Sequence, residues 1–176
     1  MATDREDVKI IFFSSKSPKE TKEKEPPKIR KIAEKWSFET ESLSHAMQIA
    51  NLEEIDCAGS DAHKLEIQRQ INYKIHSYRS QDLKKSLYDK SQFVDNKYVI
   101  ELLREKQLLC FYCRESVNLL YNNVRDGKQW TLDRIDNSIG HNKGNVEIAC
   151  LTCNLRRRTM YHERYVFTKQ MKIVKK

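Results

Sequence analysis

Two C-x-x-C pairs, Cys110-Phe111-Tyr112-Cys113 and Cys150-Leu151-Thr152-Cys153, stand 36 residues apart and constrain this chain more than any other feature. A two-residue gap lets both sulfurs of a pair turn toward one ion, and four thiolates fill a tetrahedral Zn²⁺ site with no open position. The competing chemistry, a redox dithiol, needs only one such pair with a low-pKa thiol at a helix start. Five cysteines are an odd number, which argues against a fully paired disulfide framework. The fifth, Cys57, reads as a small buried or partly buried hydrophobe. The expected zinc is structural, because a closed site cannot activate water. A region of roughly 60 residues around the pairs has a thin core and commonly needs such a staple.

Around this centre the chain divides by composition. Residues 1–35 read as a flexible N-terminal segment: an apolar run at 8–13 that suits a strand or a docking segment, then a Ser-, Lys-, Glu- and Pro-rich linker. Residues 36–107 read as helical. Ile67, Ile71, Ile75 and Tyr78 recur at spacings of 4, 4 and 3 and so share one helical face. Leu83 and Leu87 continue that pattern after an expected break near Ser80. Val99, Leu102 and Leu103 mark a further helix, with Asp95 or Asn96 as its N-cap. Lys64, Arg69, Lys74, Arg79, Lys84 and Lys85 fall on polar faces, expected to be solvated more than phosphate-bound. From Leu108 the character changes to short β-branched and aromatic runs. Strands are expected at 130–135 and 146–149, a polar loop at 137–144, and one continuous helix after Cys150.

With 33% charged residues, only four glycines and no apolar run near the ~18 residues that cross a bilayer, the chain excludes a membrane protein. Its first residues are acidic where a secretory signal would be basic, so an intracellular, reducing location is expected: cytoplasm, nucleus or a viral replication site. The formal charge is +8, and residues 154–176 carry eight Lys or Arg against one acid. A basic segment beside a metal site points to a polyanion, with nucleic acid ahead of membrane.

Between the cysteine pairs runs Gln129-Trp130-Thr131-Leu132-Asp133-Arg134-Ile135-Asp136-Asn137, then Gly140-His141-Asn142-Lys143-Gly144-Asn145-Val146, and Asn154 follows the last cysteine. Over about residues 108–165 this resembles the HNH (His-Me finger, ββα-metal) endonucleases. It is most similar to their zinc-stapled branch, which includes a phage Holliday-junction resolvase, and it also looks like HNH proteins of large DNA viruses. The resemblance implies an α+β protein with a helical N-terminal region and a zinc-stapled, treble-clef-like ββα finger over 108–176. It also implies hydrolysis of phosphodiester bonds in DNA. By position it makes Asp133 and Asn154 the holders of a catalytic divalent ion, and Asn145 the brace of the loop. A carboxylate and an amide carbonyl are hard oxygen ligands that suit Mg²⁺ or Mn²⁺.

One position departs from the family. The residue after the metal-binding acid is usually the general-base histidine, and here it is Arg134. A guanidinium has no acceptor nitrogen and stays protonated, so it can clamp a phosphate but not take a proton from water. His141 is the nearby loop histidine and the candidate base, the alternative being a loop residue that bonds backbone; His162 is expected to lie further away. On the expected helix Asn154, Arg157 or Arg158, and Tyr161 share a face that would track a phosphate backbone, with Arg156 beside it. Trp130 is expected in the core. Three readings follow: a metal-dependent endonuclease, a catalytically silent zinc-stapled module that binds DNA or RNA, and a zinc-organised protein-interaction domain. Paired cuts would need two active sites, as in a homodimer.

Overall fold

The structure is a computed structural model and describes residues 26–38, 44–57 and 61–171, so the apolar run at 8–13 and most of the linker lie outside the described residues. It is a mixed α+β arrangement of five α-helices and a two-stranded antiparallel sheet. Helix α1 spans His45–Glu53, α2 Ala62–Lys84 and α3 Asn96–Glu105; strands β1 (Trp130–Arg134) and β2 (Val146–Cys150) form a hairpin; α4 is Leu151–Arg157 and α5 His162–Gln170. No helix among the described residues is long and apolar enough to cross a membrane.

The helices start where polar side chains satisfy their first N–H groups. Ser44 accepts from the Met47 N–H and Asp61 from the His63 N–H. Asp95, not Asn96, caps α3 by accepting from the Tyr98 N–H at 2.8 Å. Ile67, Ile71 and Tyr78 are buried on one face of α2, with Ile75 half-buried. The expected break at Ser80 does not occur. The Ser80 hydroxyl donates to the His76 carbonyl, an arrangement a helix tolerates, and α2 continues to Lys84. Leu83 is exposed and Leu87 lies beyond the helix, so neither extends the apolar face. Cys57 is exposed rather than buried.

Trp130 and Leu132 of β1 and Ile148 of β2 are fully enclosed, in register Trp130↔Cys150 and Leu132↔Ile148. They belong to the same buried cluster as Leu52 of α1, Ile67 and Ile71 of α2, and Leu103 of α3. The change at 107/108 is therefore a change of secondary structure and not a gap in the core. Polar ties reinforce the join. The Leu132 N–H donates to the Tyr78 hydroxyl at 2.9 Å, and the Leu119 and Leu120 N–H groups both donate to Gln48 Oε1. Lys74, expected on a solvated face, is buried, because the Trp130 carbonyl and Gln129 Oε1 accept from its ammonium and the Tyr121 and Trp130 rings flank it.

The helix after Cys150 is two helices. Arg158 takes a positive φ of 52°, which ends α4, and α5 begins after Tyr161. Tyr161 thus does not share a helical face with Asn154.

Candidate metal centre and the adjoining polar cavity

All four sulfurs of Cys110, Cys113, Cys150 and Cys153 lie within 4.8 Å of one another. A tetrahedral ion with Zn–S bonds near 2.3 Å sets its sulfurs roughly 3.8 Å apart, and Cys113 Sγ to Cys150 Sγ is 4.0 Å. The Cys153 N–H donates to Cys150 Sγ at 3.3 Å, a contact that favours a thiolate there. The cysteine tetrad can hold a metal ion such as zinc. As bare thiols the group is frustrated. Hydrogen bonding from Cys150, then backbone N–H groups, pushes the Cys110 thiol down to about 5, while burial and the charge on Cys110 push Cys153 up to about 11. A thiolate at Cys110 raises the cost of ionising Cys153, and a bound cation would offset that cost.

Local sequence explains how the two pairs meet. The first sits in a turn where the Cys110 N–H donates to the Glu115 carbonyl and Arg114 adopts φ 61°. The second straddles the end of β2 and the first turn of α4. The Phe111 N–H donates to the Ile148 carbonyl, which lays the first turn against β2.

Asp133 is 5% exposed, and both its oxygens are occupied. Arg157 of α4 donates through Nε to Oδ2 at 2.6 Å and through Nη2 to Oδ1 at 3.1 Å, and the Tyr112 hydroxyl donates to Oδ2 at 2.5 Å. Arg157 is itself 1% exposed. Its expected place on a phosphate-binding face is therefore incorrect, since it neutralises a buried carboxylate beneath α4. Arg156, Arg158 and Tyr161 are exposed. Asn154 donates from Nδ2 to Thr131 Oγ1 at 3.0 Å.

His141 is held by a residue the motif did not point to. Its Nδ1 lies 2.8 Å from Asp82 Oδ1, and its backbone N–H donates to Asp82 Oδ2 at 2.6 Å. Asp82 comes from α2 and is fully buried. A carboxylate acceptor places the proton on Nδ1 and leaves Nε2 as the acceptor. The Tyr78 ring stacks on the imidazole with centroids 4.5 Å apart. Burial lowers the His141 pKa below its ordinary value, against the opposing pull of Asp82. Sequence carried one signal for Asp82: it lies four residues after Tyr78 on the buried face of α2, and a carboxylate there requires a partner.

The loop is fixed by Asn145, whose Nδ2 donates to the Gly140 carbonyl at 2.9 Å and whose Oδ1 accepts from the Asp136 N–H at 2.9 Å. Arg134 donates to the Asn137 and Ile139 carbonyls of the same loop. Asp133, His141 and Asn154 line one cavity of about 270 Å³, together with Lys85, Arg134 and Arg158. His162 lines two others, and its Nδ1 is 3.1 Å from the Tyr112 hydroxyl that bonds Asp133.

Compared with known proteins, the chain matches no family model, no curated protein and no solved structure. The likeness to HNH endonucleases therefore rests on the residues and their spacing.

Proposed function

We propose that β1, β2 and α4 form an HNH-type ββα finger, stapled by zinc at the cysteine tetrad, that hydrolyses phosphodiester bonds in DNA. The observation that carries this reading is the Asp82–His141 pair opening on the cavity that Asp133 and Asn154 share. A buried carboxylate on Nδ1 fixes the ring and tautomer, as a general base requires. His141 Nε2 takes a proton from water, the water oxygen forms a bond to phosphorus, and the P–O bond to the leaving oxygen breaks. That oxygen then takes a proton from solvent water, and His141 returns its own proton to solvent. Lys85 and Arg158 supply positive charge for the phosphate at the cavity rim.

The Mg²⁺ or Mn²⁺ implied by the resemblance meets an obstacle. Asn154 has its amide oxygen to offer, but the Asp133 carboxylate is already neutralised by Arg157 and bonded by Tyr112. As built, the pair does not fit a divalent ion, which would have to displace a buried guanidinium. No step here is routed through such an ion. The same contact favours a second reading, a zinc-stapled module that binds nucleic acid without cutting it.

Supercoiled and branched DNA incubated with the purified protein separates the two. The first reading expects nicked product with Mg²⁺, Mn²⁺ or neither. A brief chelator step, with zinc content checked, then shows whether Arg157 gives way to an ion. Binding that weakens steeply with salt, with no nicking under any condition, selects the second reading.

A further inference from the structure

Three cavities adjoin along α2. The first, about 670 Å³, is lined by Arg30, Lys31, Arg69 and Arg125. It shares Tyr73, Tyr121 and Gln129 with a second of about 400 Å³. The second shares Tyr78, Gln81, Asn154 and Leu155 with the cavity of His141. They form one groove between α2 and the hairpin with α4. Among the described residues no carboxylate lines the first two cavities, and Asp133, held by Arg157, is the acid that lines the third.

We infer that this groove is the track for a single nucleic-acid strand, which enters past Arg69 and Arg125 and runs along α2 into the cavity of His141. The inference rests on the reading that the partner is nucleic acid and holds whether or not the strand is cut. Charge of one sign along low-dielectric walls attracts a polyanion. The groove follows α2 from Arg69 to Lys85, sixteen residues at 1.5 Å each, or about 24 Å. That is the length of roughly seven stacked nucleotides at about 3.4 Å each. Tyr73, 71% exposed on the rim, offers an unpaired base a stacking surface. The Arg69 side chain is 72% exposed and only loosely paired with Glu66 at 3.6 Å, so its guanidinium is available to a phosphate. Arg30 is built into the wall, over the Tyr121 ring at 4.0 Å and donating to Gln70 Oε1 at 2.7 Å. The track thus runs between the helical half and the segment that resembles an endonuclease, away from the basic residues of α5.

The test is fluorescence anisotropy of the full chain with labelled oligothymidylates of four, eight and sixteen nucleotides and with a sixteen-base-pair duplex, without added divalent ions. Affinity is expected to rise to about eight nucleotides and then level off, and the single strand to bind more tightly than the duplex. Arg69→Ala with Arg125→Ala should reduce the salt slope by about 1.4, two contacts at roughly 0.7 each. Tyr73→Ala should weaken binding roughly five- to a hundredfold. Arg164→Glu on α5 should leave it unchanged. All four positions are exposed, so these variants fold. Wild-type binding by the groove variants, tighter binding of the duplex, or loss of binding on Arg164→Glu overturns the track. Binding through the groove with no nicking of any DNA sinks the nuclease reading and leaves the track. Nicking unaffected by the groove variants does the reverse.

Discussion

Asp133 and Asp82 are both buried carboxylates bonded to a nitrogen base, but their partners differ in kind. Asp133 faces a guanidinium that stays protonated, and a phenol donates to the same carboxylate. Asp82 faces an imidazole, a base that changes charge near neutrality and keeps a second nitrogen for another partner. The first cluster is charge-neutralised within the fold. The second is bonded at Nδ1 and lines a cavity, the geometry that the proposed base requires. They also depend on different parts of the chain. Tyr112 lies inside the first C-x-x-C and Arg157 on the helix the second pair begins, whereas Asp82 belongs to α2 and His141 to a loop anchored there.

The largest expected effect tests that division. With zinc at the tetrad as proposed, its removal should forfeit on the order of 10 kcal/mol of coupled folding free energy, the scale of comparable small sites. Chelation should release the Asp133 cluster first, read as rapid hydrogen exchange in β1 and α4 while the core of α2 stays protected. Simultaneous loss of protection in α2 would show that the two clusters stand or fall together. Next in size is the contrast between the carboxylates. Asp133→Ala leaves Arg157 buried and unpaired and should cost about 3–5 kcal/mol. Asp82→Asn keeps the shape but mismatches its donors and should cost about 1–3 kcal/mol. Urea denaturation of both variants measures the difference, and equal losses would erase the distinction.

The smallest effect is in pH. The folded state holds the His141 pKa below its ordinary value, so the unfolded chain takes up that proton first as pH falls. Stability present above about pH 6.5 is therefore lost as pH drops from there through the lowered folded pKa. Wild type should lose more stability than His141→Gln between neutral and mildly acid pH. A larger loss in the variant would mean that the imidazole is buried as a cation.

Motif spacing and local residue preference made the tetrad, the hairpin and the N-cap of α3 legible, because each is fixed by residues close in sequence or by ligand geometry. Asn154 and Asp133 were legible as positions, but Arg157 against Asp133 was not, since α4 was expected to run on through Tyr161 and carry its arginines outward. The stop at Arg158 is a non-glycine residue at positive φ, which no local residue preference announces. Lys74 and Asp82 were hidden for a related reason: α2 is covered on more than its apolar stripe, and the hairpin that covers it lies nearly sixty residues further along the chain. A polar face looks solvated until the element that packs on it is known.

Single-turnover cleavage by His141→Ala, measured beside its binding of the same labelled strand, tests the central claim most directly. A base aimed into the shared cavity predicts that cleavage falls roughly a hundred- to ten-thousandfold while binding changes little. Cleavage at the wild-type rate, or losses of binding and cleavage in equal measure, would contradict it.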